Sequence, residues 1–152
     1  IKPLYSPDLC GIEFKHKVMK NSNILKVYLF LSGLILSIIG TLTTFNPVNI
    51  KAEEGIEVAG NASAINDVRS FGMLLLATAI LSIIGALNSS LRKPATISAF
   101  LLFLSLGMGR ILSILMDGMP SDGIVKATGL EMILGIAGLV LYSIYREKSI
   151  TK

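Results

Sequence analysis

Three ionisable side chains lie in or beside segments of the chain that are otherwise strongly apolar. Arg110 belongs to the run ATISAFLLFLSLGMGRILSILM, Asp117 follows this run directly, and Glu131 lies in the next apolar run, IVKATGLEMILGIAGLVLYSIY. A guanidinium and a carboxylate can form a forked, doubly hydrogen-bonded ion pair. A carboxylate in a cleft can also exchange protons with a substrate as a general acid or base. These residues therefore allow either charge pairing and binding or acid–base chemistry.

The composition of the chain is typical of a membrane protein. Among its 152 residues, 52% are apolar and only 16% are charged, and the mean hydropathy is +0.70. A soluble domain carries about 25% charged residues, so this chain has too little polar surface to cover itself in water. The net charge of +4 does not indicate nucleic-acid binding. The basic residues instead flank the apolar runs, where anionic lipid headgroups would meet them.

Four apolar runs are each long enough to cross a bilayer as a helix. They cover about 24–45, 70–91, 95–116 and 124–145, and a helix needs roughly 20 residues to span ~30 Å of hydrocarbon. Because backbone groups in lipid must pair within the protein, we expect helices. Short links make successive helices antiparallel neighbours. The sequence predicts one domain over residues 24–145, an all-α integral membrane four-helix bundle with antiparallel up-down topology.

Polar segments flank this domain. Residues 1–23 are polar and mixed, and Met19 begins the string MKNSNILK, which looks like a bacterial start and leaves open that residues 1–18 are an upstream extension. Residues 146–152 form a tail. A signal peptide is the rival interpretation of the first apolar run, but the run exceeds the usual ~7–15-residue core and no nearby A-x-A site follows it. We therefore expect an uncleaved helix.

The distribution of lysine and arginine predicts the orientation. These residues concentrate in the N-terminal segment, in the link between the second and third helices and in the tail, whereas the link between the first and second helices is acidic. Basic loops tend to stay on the cytoplasmic side. We expect a multi-pass protein of the bacterial inner (plasma) membrane with both termini in the cytoplasm.

Charges on neighbouring helices are expected to meet in the outer half of the bundle. Arg110 lies about 10 Å below the outer end of the third helix, and Glu131 lies about as far below the start of the fourth. An isolated charge at mid-membrane costs about 2.5–3.5 kcal/mol, so we expect the two to pair. Asp117 is two turns from Arg110 on the same face, and Arg69 enters beside it. The predicted cluster consists of Arg69, Arg110, Asp117 and Glu131, capped by the polar loop 46–69.

Small residues at helical spacing predict where the helices approach one another closely, because they let backbones come together in the membrane. The inner half of the bundle is expected to be apolar. The three predicted packing seams are Glu131, Gly135 and Gly138; Ser105, Gly109 and Ser113; and Thr78, Ser82, Ala86 and Ser90.

Several site classes are excluded by what the sequence lacks. Cys10 is the only cysteine and His16 the only histidine, so neither an intrachain disulfide nor a Cys/His metal site is expected. The chain has no Walker A loop, no GxSxG and no GxGxxG. The sequence therefore predicts no metal, no cofactor and no nucleic-acid partner, with the lipid bilayer as its surroundings.

Two strings and one acidic residue resemble a known family. The strings are NDVRSFG at 66–72 and GRILSILMDGMPS at 109–121, and Glu131 stands alone in the last helix. Together they resemble the small bacterial four-helix membrane proteins called domain of unknown function 4345, over about residues 20–145. The resemblance implies this architecture and a shared polar constellation, without an established reaction. The implied residues are Asn66, Asp67, Arg69, Arg110, Ser113, Asp117 and Glu131.

Two classes of function remain open at this point. The first is a non-enzymatic membrane protein that is structural, or that binds a lipid-like molecule or a membrane protein partner through the cluster. The alternative is a membrane-embedded enzyme or redox accessory that uses Glu131 or Asp117 as acid or base. A transporter is disfavoured, because the four helices show no inverted repeat and no broken helix.

Overall fold

The computed structural model describes residues 23–147, which form five helices joined by short links. The helices are α1 (Asn23–Phe45), α2 (Pro47–Glu53), α3 (Ala62–Leu87), α4 (Arg92–Asp117) and α5 (Asp122–Glu147). The predictions for Cys10, His16 and the extension before Met19, and for the tail beyond residue 147, lie outside the described residues.

Four of these helices are long and apolar enough to cross a membrane. Helices α1, α3, α4 and α5 contain 23 to 26 residues. Their length corresponds to about 35–39 Å at 1.5 Å per residue, which exceeds the ~30 Å hydrocarbon core. They pack antiparallel, which confirms the predicted all-α four-helix architecture. The chain is therefore a small four-span membrane protein.

Helices α1 and α3 form the most extensively packed pair, with glycine at the points where their backbones meet. A Cβ atom added to Gly33 would lie 3.1 Å from the carbonyl oxygen of Ala79. A Cβ atom added to Gly72 would overlap Thr44 and would lie 3.1 Å from the carbonyl oxygen of Gly40. A larger residue at either glycine would therefore push the two helices apart.

Helices α4 and α5 form the second pair, and the predicted seam at Gly135 and Gly138 is confirmed. A Cβ atom at Gly135 would lie 2.8 Å from the side chain of Leu104 on α4. At Gly138 it would overlap the hydroxyl of Tyr28, which reaches across from α1. That hydroxyl donates a hydrogen bond to the carbonyl oxygen of Leu134, 3.2 Å away. This contact joins the first pair of helices to the second.

Apolar side chains both fill the interior and cover the outside of the bundle. The two interior clusters are Tyr28, Leu29, Ala86, Ala95 and Ala99, and Leu36, Leu75, Ala79 and Phe103. Large apolar residues on the outer surface include Phe30, Ile80, Leu101 and Ile133, which are 52–67% exposed. An exposed apolar surface on every long helix is what surrounding lipid requires.

One predicted seam is wrong, and another holds only in part. Ser105, Gly109 and Ser113 are exposed, and a Cβ atom at Gly109 would meet no atom within 4 Å. The predicted close approach fails at Gly109 because α4 packs against α5 through other residues, such as Leu104 and Gly107. In the predicted seam that runs from Thr78 to Ser90, Ser82 and Ala86 are buried, whereas Ser90 is exposed.

Helix α3 begins earlier than predicted. It starts at Ala62 instead of residue 70, and Asn61 caps it by accepting a hydrogen bond from the Ala64 amide, 3.1 Å away. The cap satisfies one of the amide groups that a helix start leaves without a partner. Asn66, Asp67 and Arg69 therefore lie on the helix itself and not in the preceding loop.

The loop between α1 and α3 also contains the short helix α2. Pro47 is its first residue, a position where the missing amide of proline costs nothing. The turn between α4 and α5 is shorter, as predicted. Gly118 ends α4 with a φ of 99°, a conformation that favours glycine.

Candidate functional site

Arg110 and Glu131 form the predicted ion pair. The Nε atom of Arg110 lies 3.2 Å from Oε2 of Glu131, and their side chains are 26% and 12% exposed. Each charge lies on a long apolar helix, where an isolated ion would be costly. The pair thus allows both helices to bury a charged residue at the same place.

The turn between α4 and α5 brings the two charges together. Arg110 lies seven residues before the last residue of α4, and Glu131 lies nine residues after the first residue of α5. These separations correspond to rises of about 10 and 13 Å. Because α4 and α5 are antiparallel and adjacent, the long side chain of Arg110 covers the small difference in depth.

A small apolar cavity of about 50 Å³ lies beside the ion pair. Arg110 and Glu131 supply its charged residues, and the remaining walls are aliphatic or aromatic and come from all four long helices. On α4 the cavity extends one to two turns deeper than Arg110. The walls include Ile35, Leu36, Leu75, Phe103, Leu106 and Leu130.

A larger cleft of about 220 Å³ lies at the end of the bundle where α4 ends and α5 begins. Helix α2 and the residues after it form one side of this cleft and contribute Lys51, Glu54 and Ile56. Lys51 and Glu54 are ion-paired, with side chains 17% and 25% exposed. The opposite side consists of Arg110, Ser113, Ile114, Pro120 and Ile124.

Arg110 lines both the outer cleft and the apolar cavity. Its guanidinium therefore lies between a polar compartment and an apolar one. The charged residues that line the two spaces are the cations Lys51 and Arg110 and the carboxylates Glu54 and Glu131. The site as a whole carries no net charge when all four groups are ionised.

Asp117 does not pair with Arg110. Its Oδ2 atom accepts a hydrogen bond from the Ser113 hydroxyl, 2.9 Å away and one turn earlier on α4. Both residues are exposed. The spacing of seven does place Asp117 near the face of Arg110, but Ser113 lies between them and satisfies the carboxylate.

The predicted four-residue cluster is not what the described structure contains. Asn66, Asp67 and Arg69 are all exposed, and Arg69 forms no ion pair with a described residue. The reason is the early start of α3, which places these residues in its first two turns. Charges near a helix end can reach water or headgroups and need no partner in the bundle.

Sequence reasoning missed Lys51 and Glu54 as part of the site. The sequence pattern places both residues in the polar loop 46–69 and does not predict the helix α2, which holds them beside Arg110. Two signals were available, namely Pro47 after a polar Asn46 and the spacing of three between Lys51 and Glu54. Both are weak, because many polar loops contain such residues.

A buried arginine lies at the opposite end of the bundle from the Arg110–Glu131 pair. Arg92, the first residue of α4, is 1% exposed, and its Nη2 atom donates to the carbonyl oxygen of Ala86, 3.4 Å away. The prediction that this half is wholly apolar is therefore wrong. The physical reason is that α3 ends nearby, and a cation is stabilised by the carbonyl groups at the C-terminal end of a helix. Within residues 23–147 no group of histidine, cysteine and carboxylate residues could hold a metal ion.

The segment that contains the four long helices matches the model of a known family. The model of the family described as Domain of unknown function (DUF4345) matches residues 24–142, which is most of the chain. The chain belongs to this family. The match confirms the resemblance seen in the sequence strings, and the matched segment contains the ion pair, the outer cleft and the apolar cavity. No curated protein and no solved structure shows significant similarity to the chain.

Proposed function

We propose that this four-span protein binds a lipid-like molecule at the Arg110–Glu131 pair. The observation that carries the proposal is that Arg110 lines a polar cleft on one side and an apolar cavity on the other. An amphiphile has the same division into a polar group and a hydrocarbon part. Sites for small molecules are typically apolar with a few polar groups that fix the orientation of the ligand.

Access from the bilayer supports the same function. The apolar cavity is bounded by α1 and α5, and these two helices make few contacts with each other. A hydrocarbon chain could therefore enter between them from the surrounding lipid. The headgroup would stay in the outer cleft, where Lys51, Glu54 and Ser113 offer charges and a hydroxyl.

The other polar residues implied by the family would have a secondary part. Asp117 would act through Ser113, because its carboxylate accepts a hydrogen bond from the Ser113 hydroxyl. Asn66, Asp67 and Arg69 are exposed on α3, so they would contact only a headgroup that extends beyond the cleft.

Lipid co-purification tests this proposal. The full chain is purified in mild detergent, and bound small molecules are identified by native mass spectrometry. We expect the unaltered chain to retain an amphiphile and the double variant Arg110→Leu plus Glu131→Leu to lose it, while a control change at exposed Lys126 to Leu retains it. Equal retention by the double variant would refute binding at this pair.

For the orientation, we propose that both termini lie in the cytoplasm of a bacterial cell and that the outer cleft faces away from it. The support is the distribution of lysine and arginine in the sequence, together with an even number of membrane spans. In this orientation the protein is a multi-pass protein of the inner membrane, and a ligand headgroup would lie in the outer leaflet.

A further inference from the structure

We infer that the ligand is a zwitterionic phospholipid whose headgroup carries a phosphate and a primary ammonium group. This inference rests on the proposed function and specifies the chemical class of the amphiphile. It depends on the balance of charges around the outer cleft, on the absence of aromatic side chains from the described part of its walls, and on the position of Arg110 between the cleft and the apolar cavity.

The charges around the cleft are arranged as two pairs of opposite sign. Lys51 is paired with Glu54, and Arg110 is paired with Glu131. A purely anionic headgroup would approach two cations but also two carboxylates, so its net attraction would be small. A headgroup of both signs can add one opposite charge to each pair instead. Its phosphate can bind the forked guanidinium of Arg110 beside Glu131, and its ammonium can bind the carboxylate of Glu54 beside Lys51, so that each added charge meets a group of opposite sign and both ion pairs are kept.

The cleft walls favour a primary ammonium over a quaternary one. A primary ammonium has three N–H donors, as the side chain of Lys51 does, and can therefore donate to the Glu54 carboxylate beside Lys51. A quaternary ammonium has no donor and is recognised by aromatic rings. Within residues 23–147 no aromatic residue lines the cleft. The described walls are Lys51, Glu54, Ser113 and Arg110, together with proline and isoleucine.

The neighbouring apolar cavity favours a lipid over a free headgroup. Arg110 lines both spaces, so a phosphate bound to it would have its glycerol and hydrocarbon part directed toward Phe103 and Leu106. The cavity of about 50 Å³ holds only a small apolar group. The rest of the acyl chain would lie between α1 and α5 and in the bilayer.

The test compares lipids that differ only in the headgroup. The full chain is stripped of bound lipid and offered phosphatidylethanolamine, phosphatidylcholine or phosphatidylglycerol with identical acyl chains, and occupancy is read by native mass spectrometry. We expect phosphatidylethanolamine to bind about tenfold or more tightly than the other two, the size of effect given by one charge-assisted hydrogen bond. Soluble glycerophosphoethanolamine should compete poorly.

The variant Glu54→Gln identifies the group that selects the headgroup. Removal of this carboxylate leaves one uncompensated cation, so we expect the preference to shift from phosphatidylethanolamine toward phosphatidylglycerol. Glu53→Gln is the matched control, because Glu53 is the preceding residue of α2, is exposed and does not line the cleft. It should leave the preference unchanged. Glu53 ends the short helix α2 and Glu54 follows it directly. Because neither change lies in a long helix of the bundle, the elution profile should stay that of the unaltered chain.

The possible results separate this inference from the proposed function. Three results would overturn the zwitterion assignment alone. They are equal binding of the three lipids, a preference of the unaltered chain for phosphatidylglycerol, and an unchanged preference in Glu54→Gln. Efficient competition by glycerophosphoethanolamine would show that the ligand is a soluble headgroup. If the unaltered chain binds no lipid, the proposed function fails together with the inference.

Discussion

Arg110 and Glu131 lie on consecutive antiparallel helices and meet with 3.2 Å between Nε and Oε2. Both members of the pair therefore belong to the α4–α5 hairpin, and the other hairpin, α1–α3, contributes only apolar residues to the cavity beside them. The pair joins the polar cleft to the apolar interior, which makes it the first target for experiment.

Removal of one member of the pair should cost more stability than removal of both. Arg110→Leu leaves Glu131 without its partner, and we expect a loss near the lower end of ~3–5 kcal/mol, since both side chains retain some exposure. Arg110→Leu with Glu131→Leu should recover part of this loss, with a coupling of ~0.5–3 kcal/mol. Reversible unfolding in mixed detergent measures these two variants and the single variant Glu131→Leu, which completes the double-mutant cycle. Strictly additive losses would show that the pair makes no energetic contribution.

The contact between α1 and α3 should depend on glycine. Gly72→Ala adds a Cβ atom that overlaps Thr44 and crowds the Gly40 carbonyl oxygen. We expect a destabilisation of ~1–3 kcal/mol. Gly129→Ala is the control, because a Cβ atom there meets nothing within 4 Å. If both changes had the same effect in thermal unfolding, close packing at Gly72 would not be the cause.

The proposed orientation predicts which loops a membrane-impermeant thiol reagent can reach. In a Cys10→Ser background, a cysteine at exposed Glu57 between α2 and α3 should react in intact cells. A cysteine at exposed Asn88 between α3 and α4 should react only after the membrane is permeabilised. The opposite pattern would invert the orientation and would move the outer cleft to the cytoplasmic side.

The N-terminal cap of α3 should stabilise its first turn. Asn61→Ala removes the acceptor for the Ala64 amide, with an expected cost of ~0.5–2 kcal/mol. Hydrogen exchange of the amides in residues 62–66 should accelerate, whereas Asn61→Asp should preserve their protection. Unchanged exchange in the alanine variant would mean that α3 starts closer to residue 70, as the hydropathy pattern predicts.

Arg69 should contribute little to the stability of the bundle. Its side chain is exposed and forms no ion pair with a described residue. We expect Arg69→Leu to change the free energy of unfolding by less than about 0.5 kcal/mol, which is usual for a surface substitution. A loss comparable to that of Arg110→Leu would restore the four-residue cluster predicted from the sequence.

Much of the architecture follows from the sequence, because the membrane imposes strict rules on it. Four apolar runs of sufficient length require four helices, since lipid offers no other partner for the backbone. The ends of the helices are less predictable. The start of α3 is polar and depends on the Asn61 cap, and the start of α4 depends on how Arg92 packs against the end of α3.

The sequence predicts the central ion pair of the site but not the residues around it. Equal depth on adjacent helices was enough to pair Arg110 with Glu131. The same reasoning failed for Arg69, because depth says nothing about which face of α3 a side chain occupies. Lys51 and Glu54 depend on the folding of α2 against the bundle, which hydropathy does not report. Acid–base chemistry at Glu131 or Asp117 stays a prediction.

The location of both charges within one helical hairpin has a consequence for biogenesis. As α4 and α5 leave the insertion machinery, each can neutralise the other before any contact with the earlier helices is made. The hairpin then enters the bilayer as an electrically balanced unit. The packing of the α4–α5 hairpin against the α1–α3 hairpin, whose helices meet at glycine residues, then becomes a separate and later step of assembly.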